Sequence, residues 1–362
     1  MSFNHPLITL EEHFVSEAVK QYYESKDKPY MKGFPQPIMT KLCDLDQTRL
    51  NSMKAGSISL QIISHAPSTL PLPPEVCREA NNQLFEAIKQ HPEHFAGFAM
   101  LPTAHPEEAA KELERCIKDL HFVGSLIDNN TEGRFYDDEF FWPIFQAHQD
   151  LDVPVYIHPA FHPGAMDVLY TGNYPDPIAN FLANHGLGWH SECGLHVLRL
   201  FAAKVFDHFP HLKLIIGHMG EMLPFQLDRI HKLIERSWGS MGHKPKRHLF
   251  QVWHENIWLT TSGMFTMAPF ACVIHMCKAG RVLYSVDYPF SANEEGLNFM
   301  QQLQDSGMIC DEDFEKIAYR NAEDLLRVKV KVQDAHPAET SGNGVDGHPL
   351  KQLNSIDEND ES

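Results

Sequence analysis

Positive charge is scarce in this 362-residue chain: 30 Lys and Arg are set against 48 Asp and Glu, a formal net charge of −18. An acidic surface with no basic block argues against nucleic acid and anionic membranes as partners. Long apolar runs are missing too, and none approaches the roughly 18 residues that a membrane-spanning helix needs. The N-terminus, from Met1 to Pro6, has no basic region and no apolar core, and Glu11 and Glu12 arrive too early for a signal peptide. Cysteines number seven, at positions 43, 77, 116, 193, 272, 277 and 310, with no CxxC pair. A disulfide scaffold and a thiolate zinc module are therefore not expected, and the cysteines read as reduced thiols of a cytoplasmic protein. There is no GxGxxG opening a helix, no GxxxxGK[ST], no GxSxG and no HExxH. Nucleotide-fold, serine-hydrolase and zincin readings lack support, and no organic cofactor is expected.

What is present is a composition suited to a large core, with 43% hydrophobic and 22% charged residues. The C-terminal end differs from the rest. From Gln333 to Ser362 it holds seven acids, one Lys and no aromatic residue. Such a segment cannot bury enough apolar surface to offset its ordering entropy. The chain is expected to divide into a folded domain over residues 1–330 and an acidic, disordered tail over 331–362.

Residues 1–330 repeat one pattern, in which short apolar runs alternate with amphipathic stretches. The runs are Leu7–Leu10, Ile58–Ser64, Phe95–Leu101, Phe122–Ile127, Val153–His158, Leu212–Gly217, Ile257–Thr261 and Val282–Asp287. Helix candidates between them include Pro74–His91, Pro106–Asp119, Asp138–Asp150, Gly194–His208, Glu221–Glu235 and Met267–Ala279. Strands separated by helices imply parallel pairing, and eight such units imply an α/β fold of the closed (β/α)8, or TIM-barrel, kind. Long insertions follow strand 1, from about Phe14 to Lys54, and strand 5, from Ala160 to Trp189. Both leave the C-terminal ends of strands, the face where a barrel builds its active site.

The strand ends carry chemistry. Strand 1 ends in Glu11-Glu12-His13, strand 5 in His158 and strand 8 in Asp287, and strand 6 runs into His218. Alternation points Glu11 and His13 to one face and Glu12 to the other, where an outward salt bridge or a capping role is expected. The same alternation puts Asp287 on a face with Ser285 and Leu283. A carboxylate aimed into a barrel is costly unless paired or metal-bound. Two carboxylates with one or two imidazoles suit Zn²⁺, Mn²⁺ or Mg²⁺. With 23 His in the chain, most are structural or exposed, and His65, His105, His162, His190 and His196 are given no role.

These residues resemble a known family. Glu11-Glu12-His13, Tyr156-Ile157-His158-Pro159, Gly217-His218-Met219-Gly220-Glu221 with Arg229 behind it, and Ser285-Val286-Asp287-Tyr288-Pro289-Phe290 are similar to the amidohydrolase superfamily. More narrowly, they resemble its metal-dependent, non-oxidative decarboxylases of hydroxybenzoates, such as those acting on γ-resorcylate, 2,3-dihydroxybenzoate, salicylate and 5-carboxyvanillate. The resemblance covers about residues 6–328. It implies one divalent metal, zinc first with manganese or magnesium as alternatives, held by Glu11, His158 and Asp287. His13 stands either as a fourth ligand or as a pocket wall. Asp287, His218 and Glu221 are the implied catalytic residues, and Arg229 and Phe290 the implied substrate contacts, Arg229 from across a subunit boundary in a homodimer or homotetramer.

The function expected is decarboxylation of an ortho-hydroxylated aromatic acid, releasing CO₂ and a phenol. The alternative is a metal-dependent hydrolase of a lactone or amide in the same superfamily, because Glu11-x-His13 mixes features of both groups.

Overall fold

Eight short strands carry the fold: β1 (Ile8–Phe14), β2 (Leu60–His65), β3 (Phe95–Gly97), β4 (Ser125–Asp128), β5 (Val155–His158), β6 (Leu214–Ile216), β7 (Ile257–Thr260) and β8 (Val282–Leu283). The computed structural model describes residues 3, 5–30, 34–161 and 168–331. Every strand pairs in parallel with the next, in one ladder over β1–β2–β3 and another over β4 to β8. Two seams join the ladders into a barrel. At the first, Ala99 pairs with Ser125, its N–H donating to Gly124 (2.9 Å) while Leu126 N–H donates to Ala99 (3.3 Å). At the second, between β8 and β1, the Ser285 hydroxyl accepts the N–H groups of Leu10 (3.0 Å) and Glu11 (2.8 Å), and His13 N–H donates to Tyr288 (2.7 Å).

The strands read as apolar runs because both faces are covered: all seven residues of β1 and all six of β2 are buried. The helices pack one stripe against them. Pro106–Lys118, for example, buries Ala109, Glu112, Leu113 and Cys116, the spacing of a single helical face. Proline at the first turn opens this helix and several others, where its missing N–H costs nothing.

The expected barrel is the observed one, with shifts at element ends. β4 starts at Ser125 rather than Phe122, and β8 ends at Leu283 rather than Asp287. The helix expected over Gly194–His208 starts at Gly188 and breaks at Lys204, whose φ is +61°. The segment after β1 folds into three helices, Glu17–Ser25, Gln36–Cys43 and Gln47–Ala55. Residues 332–362, which include nearly all of the expected acidic tail, and His162 lie outside the described residues. Among the described residues no helix is long and apolar enough to cross a membrane.

Candidate metal and catalytic centre

Glu11 and His13 owe their placement to an irregularity in β1. Its register against β2 shifts between Thr9 and Glu12, a bulge whose spare N–H groups at Leu10 and Glu11 are taken by Ser285. From the bulge Glu11 reaches the barrel mouth, and His13 joins it just beyond. Of the two roles expected of Glu12, the outward salt bridge is not seen among the described residues, and a role of the capping kind, accepting backbone N–H groups, is. Glu12 is fully buried at the β8–β1 seam, accepting the Ser285 hydroxyl (3.0 Å) and the N–H groups of Val286 (3.0 Å) and Tyr288 (3.1 Å). Burial pushes its carboxyl up to about 8, opposed by those three donors.

Four side chains converge. Glu11 Oε1 lies 3.1 Å from His158 Nε2, and His13 Nε2 lies 3.2 Å from Asp287 Oδ1. One ligand atom from each of Glu11, His13, His158 and Asp287 falls within 4.8 Å of the others. Asp287 is not delivered by strand alternation, since it lies beyond β8 at φ +72°, a left-handed turn that swings its carboxylate into the mouth. Beneath Glu11, Tyr156 donates to Oε2 and shares its hydroxyl with Thr260 (3.0 Å), which is bonded in turn to Ser262 (2.7 Å).

The donor set fits a divalent cation. His158 Nδ1 sits 2.7 Å from the Pro159 carbonyl, which fixes Nδ1 as the donor and aims Nε2 at Glu11. Two acceptor atoms 3.1 Å apart require a positive charge between them, a proton or a metal. Glu11 Oε1, His13 Nε2 and Asp287 Oδ1 are buried without a hydrogen-bond partner among the described residues. Three unpartnered polar atoms in one region, two of them carboxylate oxygens, are what a bound cation would satisfy. Burial lowers the His13 pKa, which favours the neutral imidazole of a ligand. Burial would raise the Glu11 carboxyl, but the nearby His218 and His158 more than offset it, so Glu11 stays ionised.

His218 and Glu221 sit on a rare backbone. Residues 218 to 222 all have positive φ, of 48°, 57°, 85°, 52° and 65°. Each non-glycine residue held there costs about 1 kcal/mol or more. The turn brings His218 Nδ1 to 2.8 Å from Glu221 Oε1 and leaves Nε2 facing Glu11 Oε1 (3.5 Å) and Asp287 Oδ2 (3.9 Å). Burial opposes protonation of His218, but Glu11 and Glu221 outweigh it and hold its pKa well above the ordinary value. The helix expected from Glu221 therefore begins only at Leu223.

Two groups escape a reading of the sequence. His190, on the helix Gly188–Ala202, donates Nδ1–H to the other Glu221 oxygen (2.8 Å), with its ring 4.6 Å from that of His218. Nothing local to its helix signals this. Asp128 ends β4 directly beside His158, and burial pushes its carboxyl up to about 6 although Ser68 N–H donates to it. A signal for it does exist, because it is one more acid at a strand end. Phe290 is half-buried with its ring 5.7 Å from that of His13, on the wall of the site. Arg229 is exposed on the helix Leu223–Ser237 and is not among the residues that form the cluster.

Eight parallel strands whose C-terminal ends gather two carboxylates, two ligand-type imidazoles and a buried His–Glu pair define a barrel enzyme of the amidohydrolase type. The chain belongs to the amidohydrolase family, whose model matches residues 72–328. It is 45% identical over 328 residues to the decarboxylase orsB of Emericella nidulans, an alignment covering 90% of this chain and 98% of that one. It is 33% identical over 340 residues to a gamma-resorcylate decarboxylase of Polaromonas sp., covering 89% and 98%. The crystal structure of a dihydroxybenzoic acid decarboxylase from Polaromonas sp. JS666, holding manganese and the inhibitor 2-nitroresorcinol, superposes with a TM-score of 0.78 at 31% identity, covering 89% of this chain and 97% of that one.

Proposed function

We propose that Glu11, His13, His158 and Asp287 hold one divalent cation and that a hydroxylated aromatic carboxylate reacts beside it. The chain is a carboxy-lyase of the amidohydrolase superfamily, and its reaction is the non-oxidative decarboxylation of an aromatic acid. The observation that carries the metal reading is the set of buried, unpartnered polar atoms at Glu11 Oε1, His13 Nε2 and Asp287 Oδ1. Zinc suits two carboxylates and two imidazoles, and manganese, the ion in the Polaromonas structure, suits them as well. When bound, the cation supplies an electrophilic anchor for the substrate carboxylate and its ortho oxygen.

The side chains supply the rest. His218, protonated and braced by Glu221, offers its Nε2–H toward the space between Glu11 and Asp287, where a substrate oxygen accepts it. Asp287 delivers a proton to the ring carbon that bears the carboxylate. The bond from that carbon to the carboxylate then breaks, its electron pair returns to the ring, and CO₂ leaves. One proton per turnover comes from solvent. The Phe290 ring packs on the substrate ring and excludes water.

Arg229 reaches a substrate only from a neighbouring copy, so this role entails a homodimer or homotetramer. The same helix exposes Phe225 (83%) and Leu233 (46%) on the stripe that carries Arg229, an apolar face suited to such a contact. A cytoplasmic setting agrees with the seven unpaired cysteines.

The test is CO₂ release by metal-analysed enzyme from salicylate, orsellinate and the 2,3- and 2,6-dihydroxybenzoates. Chelator-sensitive release is expected. A metal-loaded enzyme that releases none across the panel overturns the reading.

A further inference from the structure

Asp128 is an inward-facing carboxylate that neither the metal cluster nor the His–Glu pair uses. Its orientation follows from register. Leu126 pairs with Tyr156 and Asp128 with His158, and both Tyr156 and His158 reach Glu11 inside the barrel. Residues paired in register share a face, so Leu126 and Asp128 point inward too. Ser125 points the opposite way, its hydroxyl 2.7 Å from His148 Nε2 on the covering helix Trp142–Leu151.

The Asp128 side chain has one hydrogen bond among the described residues, from Ser68 N–H to Oδ2 at 3.0 Å. Asp128 lines a cavity of about 290 Å³ at the mouth of β2 to β5, and its Oδ1 has no hydrogen bond among the described residues. Asn130 lines the same cavity. Its Oδ1 accepts Gly133 N–H (3.0 Å), which leaves Nδ2 as a buried donor with no partner among the described residues. Leu70, Met100 and Phe161 give the cavity apolar walls. The cavity is mixed in character: His65, Thr69, Thr103 and Thr131 line it beside the apolar walls, and an acceptor at Asp128 and an unpartnered donor at Asn130, next to a metal-type ligand, match the hydroxyl-bearing edge of a phenolic ring. The volume is near the lower end for small-molecule sites, so the cavity suits part of a ligand anchored elsewhere.

We propose that Asp128 and Asn130 form a subsite for a ring hydroxyl of the substrate, distinct from the hydroxyl beside its carboxylate. This rests on the decarboxylase reading above. The phenol O–H donates to Asp128 Oδ1, and the Asn130 amide donates to the phenol oxygen. A site built to pair a hydroxyl rejects the analogue lacking it, because its own buried polar groups are then left unpaired. The enzyme accordingly selects dihydroxybenzoates over salicylate.

The experiment measures kcat/KM of the metal-loaded enzyme for salicylate and for the 2,3-, 2,4- and 2,5-dihydroxybenzoates. Calorimetry of phenol against catechol, resorcinol and hydroquinone runs in parallel. The same measurements are made on Asp128→Leu, Asp128→Asn and Asn130→Ala. One dihydroxy isomer is expected to exceed salicylate by about 10- to 100-fold. Asp128→Leu is expected to reduce that ratio at least about tenfold, with Asn130→Ala moving it in the same direction. Equal losses on salicylate and on the preferred isomer mark a merely structural carboxylate and overturn the subsite, as does the absence of any preferred isomer. Asp128→Asn, which keeps shape and one acceptor, serves if the Leu variant does not fold. If the parent enzyme decarboxylates nothing, the functional reading fails, and the subsite is judged by binding alone. Tighter binding of one diphenol than of phenol, lost in Asp128→Leu, upholds it, and equal binding overturns it.

Discussion

The Ser285 hydroxyl donates to the Glu12 carboxylate across 3.0 Å, joining the last strand of the barrel to the first. Among the described residues this seam has no strand ladder, only the backbone bond from His13 N–H to the Tyr288 carbonyl. Ser285 instead accepts the two N–H groups of the β1 bulge, while Glu12 gathers the N–H groups of Val286 and Tyr288. Glu11 and His13 flank Glu12, and Asp287 lies between its two backbone donors. The seam thus sets the spacing of three of the four proposed metal ligands. Replacing Glu12 by Leu strips an acceptor from three buried donors, each worth about 1–3 kcal/mol. A loss of at least about 3 kcal/mol in urea unfolding is expected, together with reduced metal content. A variant as stable as the parent would show that the seam holds without it.

Metal binding gives a second prediction. One divalent cation per chain is expected by elemental analysis, and His158→Ala or Glu11→Gln should leave less than a tenth of that. Because a cation bound only to the folded state stabilises it by mass action, chelation should lower Tm by several degrees. A Tm indifferent to chelator would remove the ion from the site.

Asp287 is proposed both as a ligand and as the proton donor, and the two roles separate. Asp287→Asn retains an oxygen ligand but loses the transferable proton. Turnover should fall by about 100- to 10,000-fold, the usual range for loss of an acid–base group, with metal still bound. Near-parental CO₂ release would assign the proton to another residue.

Gly217 precedes the left-handed turn, and a Cβ there would lie 2.8 Å from the Tyr156 hydroxyl and 2.9 Å from Glu11 Oε2. Neither partner is free to move, since both are fully buried and bonded to each other. Gly217→Ala should therefore displace Glu11, raising the metal dissociation constant at least about tenfold and costing about 1–3 kcal/mol of stability. Unchanged metal affinity would contradict so tight a packing.

Two buried histidines outside the proposed metal cluster bear on acid stability. Burial holds His148 down to about 4 and His196 to about 3, the latter with help from Arg199. An unfolded chain protonates its histidines near pH 6.5, so below that pH the unfolded state binds more protons than the folded one. Stability is complete above about pH 6.5 and falls as the pH drops toward 4, by about 1.4 kcal/mol per unit for each histidine. Tm measured from pH 7 to pH 4.5 should show this decline, with a shallower slope in His148→Gln. Parallel slopes would mean that His148 is protonated in the folded state.

Part of the site is legible in the amino-acid order. Glu11, His158 and Asp287 stand out because an ionisable residue at the end of an apolar strand has few inexpensive explanations. Glu12 defies the pattern because alternation assumes a regular strand, and a bulge is a tertiary event set by Ser285, some 270 residues away. His190 carries no signal because its importance lies in a contact with Glu221, and helical periodicity does not encode contacts between elements. Asp128 obeys the strand-end rule, but the apolar run of strand 4 stops at Ile127, one residue short of it.

By itself the amino-acid order determined the alternation of strand and helix, and so the barrel, because period and apolar run length are local properties of the chain. It also determined which residue types stand at the strand ends. Tertiary structure alone decided that four of them meet within 4.8 Å, that five successive left-handed residues turn His218 onto Glu221, and that Asp287 swings in from beyond its strand. Those outcomes depend on closure of the sheet and on buried bonds between residues far apart in the chain, which no local pattern can specify.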